Sequence, residues 1–360
     1  MKILFLINNL GNGGAEKVLV NLANALAYRG YDITIRTLVD EGSNKQYLSS
    51  SVKYEYIFKK YFKGVGRLHL LPHNWIYSKI CYGSFDIIVA YLQGVITSIV
   101  SYGPKDQKKI AWLHTDMRKS AFIKELSTKN RIVDCYNCFD RIIAVSETVK
   151  SSFIEVSGIS ENVEVLYNTF DIDDIIMKSK QPCCLGRGIR LCSVGKLEKV
   201  KGYLRLLSVF HKLVDIDHLD LSLTIVGEGS QRGELERYIA KNHLESRVKL
   251  VGFDTNPYKY IANSDAFVCS SFYEGFSSVV AESLILGIPV VSTDVSGARE
   301  MLGDSEFGLV VENSDEGIYT GIKSELENLS YWKAKAEERS KFFSIDEVVG
   351  STEKMLKSLL

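Results

Sequence analysis

The sequence predicts an α/β protein made of two Rossmann-like domains, and three observations carry that prediction. The chain has 360 residues, more than one ordinary core fills and comfortable for two. Short apolar runs alternate with amphipathic helical stretches along almost its whole length, the pattern of parallel βαβ units. The alternation lapses around residues 171–188, where Pro182, Gly186 and Gly188 fall close together. The expected organisation is therefore a domain over 1–170, a linker over 171–188, a second domain over 189–343, and a terminal helix over 344–360 that packs back.

The first element is the buried strand Lys2–Ile7, which leads straight into Asn and Gly. A helix over Ala15–Tyr28 comes after Gly13-Gly14 and stops at Gly30, a residue suited to the position after a helix end. The remaining strands of the first half are expected at Asp32–Leu38, Ile87–Tyr91, Lys109–Leu113, Arg141–Val145 and Val163–Leu166. Those of the second half are expected at Ile189–Val194, Leu221–Val226, Val248–Val251, Ala266–Cys269, Pro289–Thr293 and Gly308–Val311. In the last segment Ile345, Val348, Val349, Met355, Leu356 and Leu359 form one apolar stripe, which predicts a packed helix.

Composition narrows the function class. A chain that is 46% hydrophobic and 24% charged is globular rather than disordered. Seven Cys without a framework, and no signal-type start, imply a reducing, cytoplasmic setting. The longest apolar stretch, Phe85–Val100, is broken by Asp86, Gln93 and Gly94, so no spanning helix is expected. Net charge is zero, yet residues 1–170 hold 21 Lys and Arg against 15 Asp and Glu. That basic half suits either an anionic membrane surface or a complementary acidic second domain. Nucleic acid is not an expected partner, because no nucleic-acid module is recognisable.

In open parallel sheets ligands bind beyond the carboxyl ends of the strands, so the loops there carry the candidates. After the first strand, Gly11, Gly13 and Gly14 let the backbone approach a phosphate or sugar at a helix N-terminus. A dinucleotide fingerprint would need Gly where Glu16 stands, which leaves a tight turn or a sugar-phosphate site. After Val194 comes Gly195-Lys196-Leu197-Glu198-Lys199-Val200-Lys201-Gly202, whose lysines could neutralise a departing diphosphate. After Cys269, a loop exposes Glu274 and Gly275, and a helix begins near Ser277. Glu282 lies about one turn inside it, about 6 Å along the axis. Two carboxylates so placed can accept hydrogen bonds from sugar and ribose hydroxyls of one extended ligand.

Glu274 and Glu282, with seven residues between them and Gly287-Ile288-Pro289-Val290-Val291 after the helix, resemble the donor signature of family 4 retaining glycosyltransferases. The resemblance runs nearly end to end. It takes in Gly13-Gly14-Ala15-Glu16, Ala144-Val145-Ser146, Leu166–Asp171, Val226-Gly227-Glu228-Gly229 and Ser296-Gly297-Ala298-Arg299-Glu300. It implies the GT-B architecture, two facing domains with a cleft between them, acceptor on the first and nucleotide sugar on the second. By the same resemblance Lys196 and Lys201 hold the diphosphate, and Glu274 with Gly275, Phe276 and Ser277 contacts the transferred sugar. Val279 belongs to the donor site, Glu282 binds the ribose, and Gly252-Phe253 lies near the base. Gly13, Gly14 and Gly195 line the donor, and His114 contacts the sugar opposite the diphosphate. Tyr91, Gln93 and Asp116 become acceptor candidates. One departure is Lys196, where the family usually has Arg, so charge is kept but bidentate phosphate geometry is not.

The resemblance implies transfer of a hexose or N-acetylhexosamine from a nucleotide-diphosphate sugar, UDP by expectation, to a lipid-diphosphate-linked glycan of a bacterial surface polysaccharide. No cofactor and no metal are expected. Asp171-Ile-Asp173 and Asp215-Ile-Asp217 spell a metal pattern but fall at a seam and in a helix–strand connection. Cys135 and Cys138 form a lone pair without a second one. A nucleotide-sugar epimerase, a glycan phosphorylase and a catalytically decayed sugar-binding scaffold remain alternatives. The acceptor-side loops, Glu41–Trp75 and Thr115–Arg131, carry no transferable code. Within the first, Lys53, Lys59, Lys60, Lys63 and Arg67 mix with Tyr54, Tyr56, Phe58, Tyr61 and Phe62. That mixture suits a headgroup interface and predicts peripheral contact with an anionic membrane.

Overall fold

The computed structural model describes residues 1–11, 13–120 and 129–360. The chain divides into two compact units, one of residues 1–170 with 345–360 and one of residues 171–344. Each is a wholly parallel sheet with helices. Asn12 of the glycine-rich loop and residues 121–128 of the Thr115–Arg131 loop lie outside the described residues.

The first unit holds a seven-stranded sheet of β1 (Lys2–Ile7), β2 (Asp32–Val39), β3 (Lys53–Phe58), β4 (Ile87–Tyr91), β5 (Lys108–Leu113), β6 (Arg141–Ala144) and β7 (Val163–Val165). Their order is β3-β2-β1-β4-β5-β6-β7. The inner strands are apolar on both faces, because helices cover both: in β1 only Lys2 is exposed, and β4 is buried throughout. The helix Gly14–Tyr28 buries Leu19, Leu22, Ala23 and Leu26 on one stripe. The terminal helix Ile345–Lys357 belongs to this unit, where Arg29 bridges to Asp346 and Glu353 at 2.6 Å each.

The second unit holds β8 (Ile189–Val194), β9 (Leu221–Val226), β10 (Val248–Gly252), β11 (Ala266–Cys269), β12 (Val290–Thr293) and β13 (Leu309–Val311), in the order β10-β9-β8-β11-β12-β13. Its core runs from Leu223 and Ile225 on β9 to Leu206, Phe210 and Leu213 on the helix Tyr203–Asp215, with Ile318 and Ile322 from Asp315–Glu327.

Two expectations need correction. The first sheet has a seventh strand, β3, where a loop was expected from the sequence. It is an edge strand only half buried, and Lys53-Tyr-Glu-Tyr-Ile-Phe lacks the apolar run that marked the others. Its Glu55 is drawn in by Arg36 of β2, itself 1% exposed, at 2.5 Å. The stretch 171–188 is not all linker either. Ile172–Ser179 is a helix of the second unit, capped by Asp171, whose carboxylate accepts from the Asp174 N–H at 3.0 Å. Ile175 is its one buried side chain, so the apolar stripe was too short to read.

Candidate functional site

Strand order locates the sites. In each sheet the chain winds outward in both directions from a central pair, β1 and β4 in the first and β8 and β11 in the second. Loops leaving the carboxyl ends of such a pair diverge and open a crevice. Every loop singled out in the sequence comes after one of these four strands or a near neighbour.

In the second unit the loops after β8 and β11 are joined at close range. Gly202, at φ +67°, allows this, because a Cβ there would lie 2.2 Å from the Ser270 carbonyl oxygen. The Ser270 hydroxyl donates to the Lys201 carbonyl at 2.9 Å, and the Phe272 N–H to that of Val200 at 2.8 Å. This brings the Lys201 ammonium to 2.6 Å from Glu274 Oε1, an oxygen that also accepts from the Ser271 hydroxyl at 2.6 Å. The pair is only 22% and 12% exposed, so it is a largely desolvated, charge-assisted contact. An ammonium has three protons to donate. One is on Glu274, which leaves the others for an anion. Lys196, on the same β8 loop, is exposed.

Arg205, which gave no signal in the sequence, holds the β11 loop in place. From the helix Tyr203–Asp215 its guanidinium donates to the carbonyls of Ser270 at 2.8 Å and Ser271 at 2.7 Å, and it lies 3.9 Å from the centre of the Phe272 ring. Asn313 takes the Phe272 carbonyl at 2.9 Å, and the Ser296 hydroxyl takes that of Gly275 at 2.7 Å. These contacts hold the carbonyls of the loop in the absence of any ligand. One Arg on the buried face of an amphipathic helix does not announce such a role, since its partners are carbonyls some 65 residues away.

The helix after that loop is Ser278–Ile285, and no side chain caps its N-terminus. Ser277, at the cap position, is 2% exposed and its hydroxyl is 3.8 Å from Cys269 Sγ. Gly275, Phe276 and Val279 flank it, all partly exposed. An uncapped, apolar helix start of this kind favours an anion by its N–H groups and dipole. Glu282 sits in the same helix at 6% exposure, where Oε1 accepts from the Tyr258 hydroxyl at 3.3 Å. Gly252 ends β10 beside Glu228, and the next residue, Phe253, is 58% exposed.

In the first unit, Gly13 precedes the helix that Gly14 opens, again with no side-chain cap. The loop is braced from behind: the Leu10 N–H donates to Glu41 O at 3.0 Å, the Asn44 N–H to Leu10 O at 3.1 Å, and the Asn44 amide to Gly11 O. Gly42 permits that approach, with φ +115° and no room for a Cβ against Leu10 O. After β4, Gln93 clamps the next loop at two points. Its Oε1 accepts from the His114 N–H at 3.0 Å, and its Nε2 donates to Thr115 O at 3.0 Å. Leu92 carries the turn at φ +85°, uncommon for a branched side chain and held here by its N–H on Trp112 O.

His114 is 8% exposed, and its ring centre is 4.5 Å from that of Tyr91. Its Nε2 and the Tyr91 hydroxyl are both buried without a hydrogen-bond partner among the described residues. Tyr91 has no exposed surface, so it backs the His114 ring rather than facing an acceptor. Burial pushes the Tyr91 hydroxyl pKa up, with a smaller push from the charge of Glu16. Asp116 is also recessed, since it caps the turn Met117–Lys119 and pairs with Arg118 at 2.7 Å. Of the three acceptor candidates, then, only Gln93 is partly exposed, and its amide is occupied in positioning His114.

Burial pushes the His114 pKa down to about 3, so the ring is neutral at physiological pH. The unfolded chain gains a proton near pH 6.5 that the folded ring refuses until about pH 3. The His114 contribution to stability is therefore complete above pH 6.5 and lost as pH falls toward 3, by at most about 1.4 kcal/mol per unit. Urea midpoints at pH 7.5 and 5 should separate more for the wild type than for His114→Asn. Equal separations would mean that the ring is not held neutral.

The remaining sequence signals have structural occupations. Asp217 accepts from the Tyr319 hydroxyl at 2.8 Å and Lys323 at 3.2 Å, and Asp171 is a helix cap. Cys135 is buried, Cys138 is exposed, and all seven cysteines are free. Among the described residues no group of three or more His, Cys, Asp or Glu is placed to hold a metal ion.

Known proteins share both the fold and the sequence pattern. Crystal structures of Anabaena HepE, one of them in complex with UDP, superpose with a TM-score of 0.79 at 21% identity, covering 99% of this chain and 100% of that one. A Campylobacter jejuni protein, N-acetylgalactosamine-N,N'-diacetylbacillosaminyl-diphospho-undecaprenol 4-alpha-N-acetylgalactosaminyltransferase, is 32% identical over 95% of each chain. The Rhizobium meliloti lipopolysaccharide core biosynthesis glycosyltransferase LpsE is 23% identical over 87% of this chain and 85% of its own. Residues 12–174 match the model of Glycosyltransferase Family 4, and residues 186–339 that of Glycosyl transferases group 1. With two Rossmann-like parallel-sheet units of the GT-B type and a relative aligned nearly end to end, this chain belongs to glycosyltransferase family 4 and is a glycosyltransferase.

Proposed function

We propose that this glycosyltransferase moves a hexose or N-acetylhexosamine from a UDP-sugar to a glycan carried on a lipid diphosphate, with retention at the anomeric carbon and without a metal. The observation that carries the reading is the Lys201–Glu274 pair at 2.6 Å, set beside an uncapped helix N-terminus at the switch point of the second sheet. Lys201 and Lys196 neutralise the diphosphate as it leaves, the Ser277–Val279 N–H groups face it, and Glu274 accepts from a hydroxyl of the transferred sugar. Glu282 takes the ribose, and Gly252-Phe253 borders the base. His114 offers the sugar a neutral ring, and Gln93 keeps that ring in position. The bond from the anomeric carbon to the phosphate oxygen breaks, the acceptor oxygen bonds the same face, and its proton passes to the departing phosphate. The names of the relatives support a lipid-diphosphate acceptor and surface-polysaccharide synthesis, and the HepE complex supports UDP. On this reading the enzyme works at the cytoplasmic face of a membrane, where it meets the lipid-linked acceptor.

A panel of nucleotide sugars, incubated with a lipid-linked acceptor extract and read by mass spectrometry, tests the reading. One UDP-sugar should add a single residue to the acceptor, at a rate kept within about twofold in EDTA because no step needs a Lewis acid. Epimerised donor without transfer, phosphorolysis, or nucleotide binding with no turnover would each replace the reading. Activity lost in EDTA and restored by Mg²⁺ or Mn²⁺ would remove its metal independence.

A further inference from the structure

We infer that residues 59–75 are a docking surface for an anionic phospholipid bilayer, in which Lys59, Lys60, Lys63 and Arg67 meet the headgroups and Leu70, Leu71 and Trp75 enter the apolar layer. This deepens the proposed function, on which it rests for the reason a lipid surface is met.

The structure moves this surface along the chain from where the sequence placed it. Lys53 is taken by Asp32 at 2.8 Å, and the Tyr54 hydroxyl donates to Asp40 at 2.9 Å. Residues 53–58 are thus the edge of the sheet, and Lys53, Tyr54 and Glu55 are engaged within it. Beyond Phe58 the chain changes character. Lys59, Lys60, Lys63, Arg67 and Lys79 are all exposed, and none forms a salt bridge among the described residues. No Asp or Glu occurs from Tyr56 to Phe85, and the acids that reach the segment come from just beyond β2, where Asp40 interacts with Lys59 and Glu41 Oε1 accepts from the Tyr61 N–H at 3.4 Å.

Apolar side chains stand out in the same stretch. Tyr61 is 65% exposed, Leu70 71% and Trp75 52%, with Phe62 and Leu71 at 38% each. Scattered exposed apolar residues need no explanation, but five within fifteen residues do. Nor is the segment loose. In the turn Val65–Leu70 only Leu68 is buried, and the helix His73–Ile80 buries Ile76 and Ile80, which turns Trp75 and Lys79 outward at one helical spacing. The His69 carbonyl accepts from the Tyr102 hydroxyl at 2.9 Å, and the His73 ring stacks on Tyr102 at 3.7 Å. A scaffold with these anchors presents its apolar side chains to solvent at a cost that only a covering phase removes. Clustered cations that outnumber the acids facing them select an anionic one.

Position links the surface to the reaction. All strands of the first sheet run parallel, so Phe58 at the end of β3 lies on the same carboxyl edge as Ile7, Tyr91 and Leu113. Lys59 and Lys60 therefore leave the sheet on the edge that carries Gly13, Gln93 and His114.

The test uses the full chain without nucleotide or acceptor, pelleted with phosphatidylglycerol–phosphatidylcholine vesicles or with phosphatidylcholine alone. Binding should require the anionic lipid and weaken from about 0.1 M to about 1 M salt, as the Debye length falls from about 10 Å to about 3 Å. Lys59→Glu/Lys60→Glu/Lys63→Glu should lower the partition constant by about a hundredfold or more. Leu70→Ser/Leu71→Ser should lower it while leaving the melting temperature in place. Brominated acyl chains should quench fluorescence of the wild type, and Trp75→Phe, which can hardly affect folding, should abolish that quenching. Failure to pellet with anionic vesicles, equal binding to neutral ones, unchanged binding by the charge or the leucine variant, or quenching that survives Trp75→Phe would each overturn the inference. Transfer to a short water-soluble acceptor, measured in parallel, reports on the proposed reaction alone, so the two can fail separately.

Discussion

Glu274→Ala should lower turnover by about 10²–10³-fold while leaving the affinity for free nucleoside diphosphate within about threefold of the wild type. Glu274 is 12% exposed and holds both the Lys201 ammonium and the Ser271 hydroxyl through one oxygen, so its removal strands a cation that is itself 22% exposed. A diphosphate can then pair with Lys201 in its place, which is why nucleotide affinity should hold or even tighten. The transferred sugar, by contrast, would lose the carboxylate proposed to accept from its hydroxyl, together with the brace that aims Lys201. Glu274→Gln keeps a hydrogen bond for Ser271 without the charge and should fall between the two. Titration calorimetry with UDP, set beside initial rates at saturating donor, separates the terms. Equal loss of affinity and turnover in Glu274→Ala would place this carboxylate at the nucleotide instead.

Glu282→Ala should show the reverse, with UDP affinity weakened by about 10- to 100-fold and turnover at saturating donor changed only several-fold. A hydrogen bond to a charged group is worth about 1.5–3 kcal/mol, and about 1.4 kcal/mol is tenfold in affinity. Glu282 is 6% exposed within the helix Ser278–Ile285 and already accepts from Tyr258, so the ribose would meet a carboxylate with little rotational freedom. Because Glu282→Ala also leaves the Tyr258 hydroxyl without this acceptor, Glu282→Gln supplies the control for packing. The decisive comparison is a cycle with 2',3'-dideoxy-UDP. Loss of the ribose hydroxyls should cost the wild type heavily and Glu282→Ala almost nothing. Equal costs in both proteins would show that Glu282 does not touch the ribose.

The two carboxylates were legible in the sequence because their loop comes after a short apolar strand and precedes a helix, and local chemistry sets both. The same is true of the strands Lys2–Ile7, Ile87–Tyr91, Ile189–Val194, Leu221–Val226 and Ala266–Cys269, which the structure reproduces residue for residue. Most of their side chains are buried, and strands covered on both faces read as largely apolar runs, although Ile189–Val194 keeps Arg190 partly exposed against Asp265. Strand order was not written that way. That β8 lies beside β11, and β1 beside β4, results from crossover packing between segments far apart in the chain, and this adjacency turns separate loops into sites.

Residue types at short spacing suffice for the α/β class, the division into two units, the family and the loops proposed to hold the chemistry. The pairing of charges and polar groups emerged with the folded arrangement. It set Lys201 on Glu274, Glu55 on Arg36, Gln93 on the His114–Thr115 backbone and Arg205 on the Ser270–Ser271 carbonyls. It also withdrew Tyr91 and Asp116 from solvent and left Leu70, Leu71 and Trp75 in it. Burial and ion pairing depend on distance in space. Segments 19 residues apart in one pair and 73 in another are joined by sheet order, which no local pattern encodes.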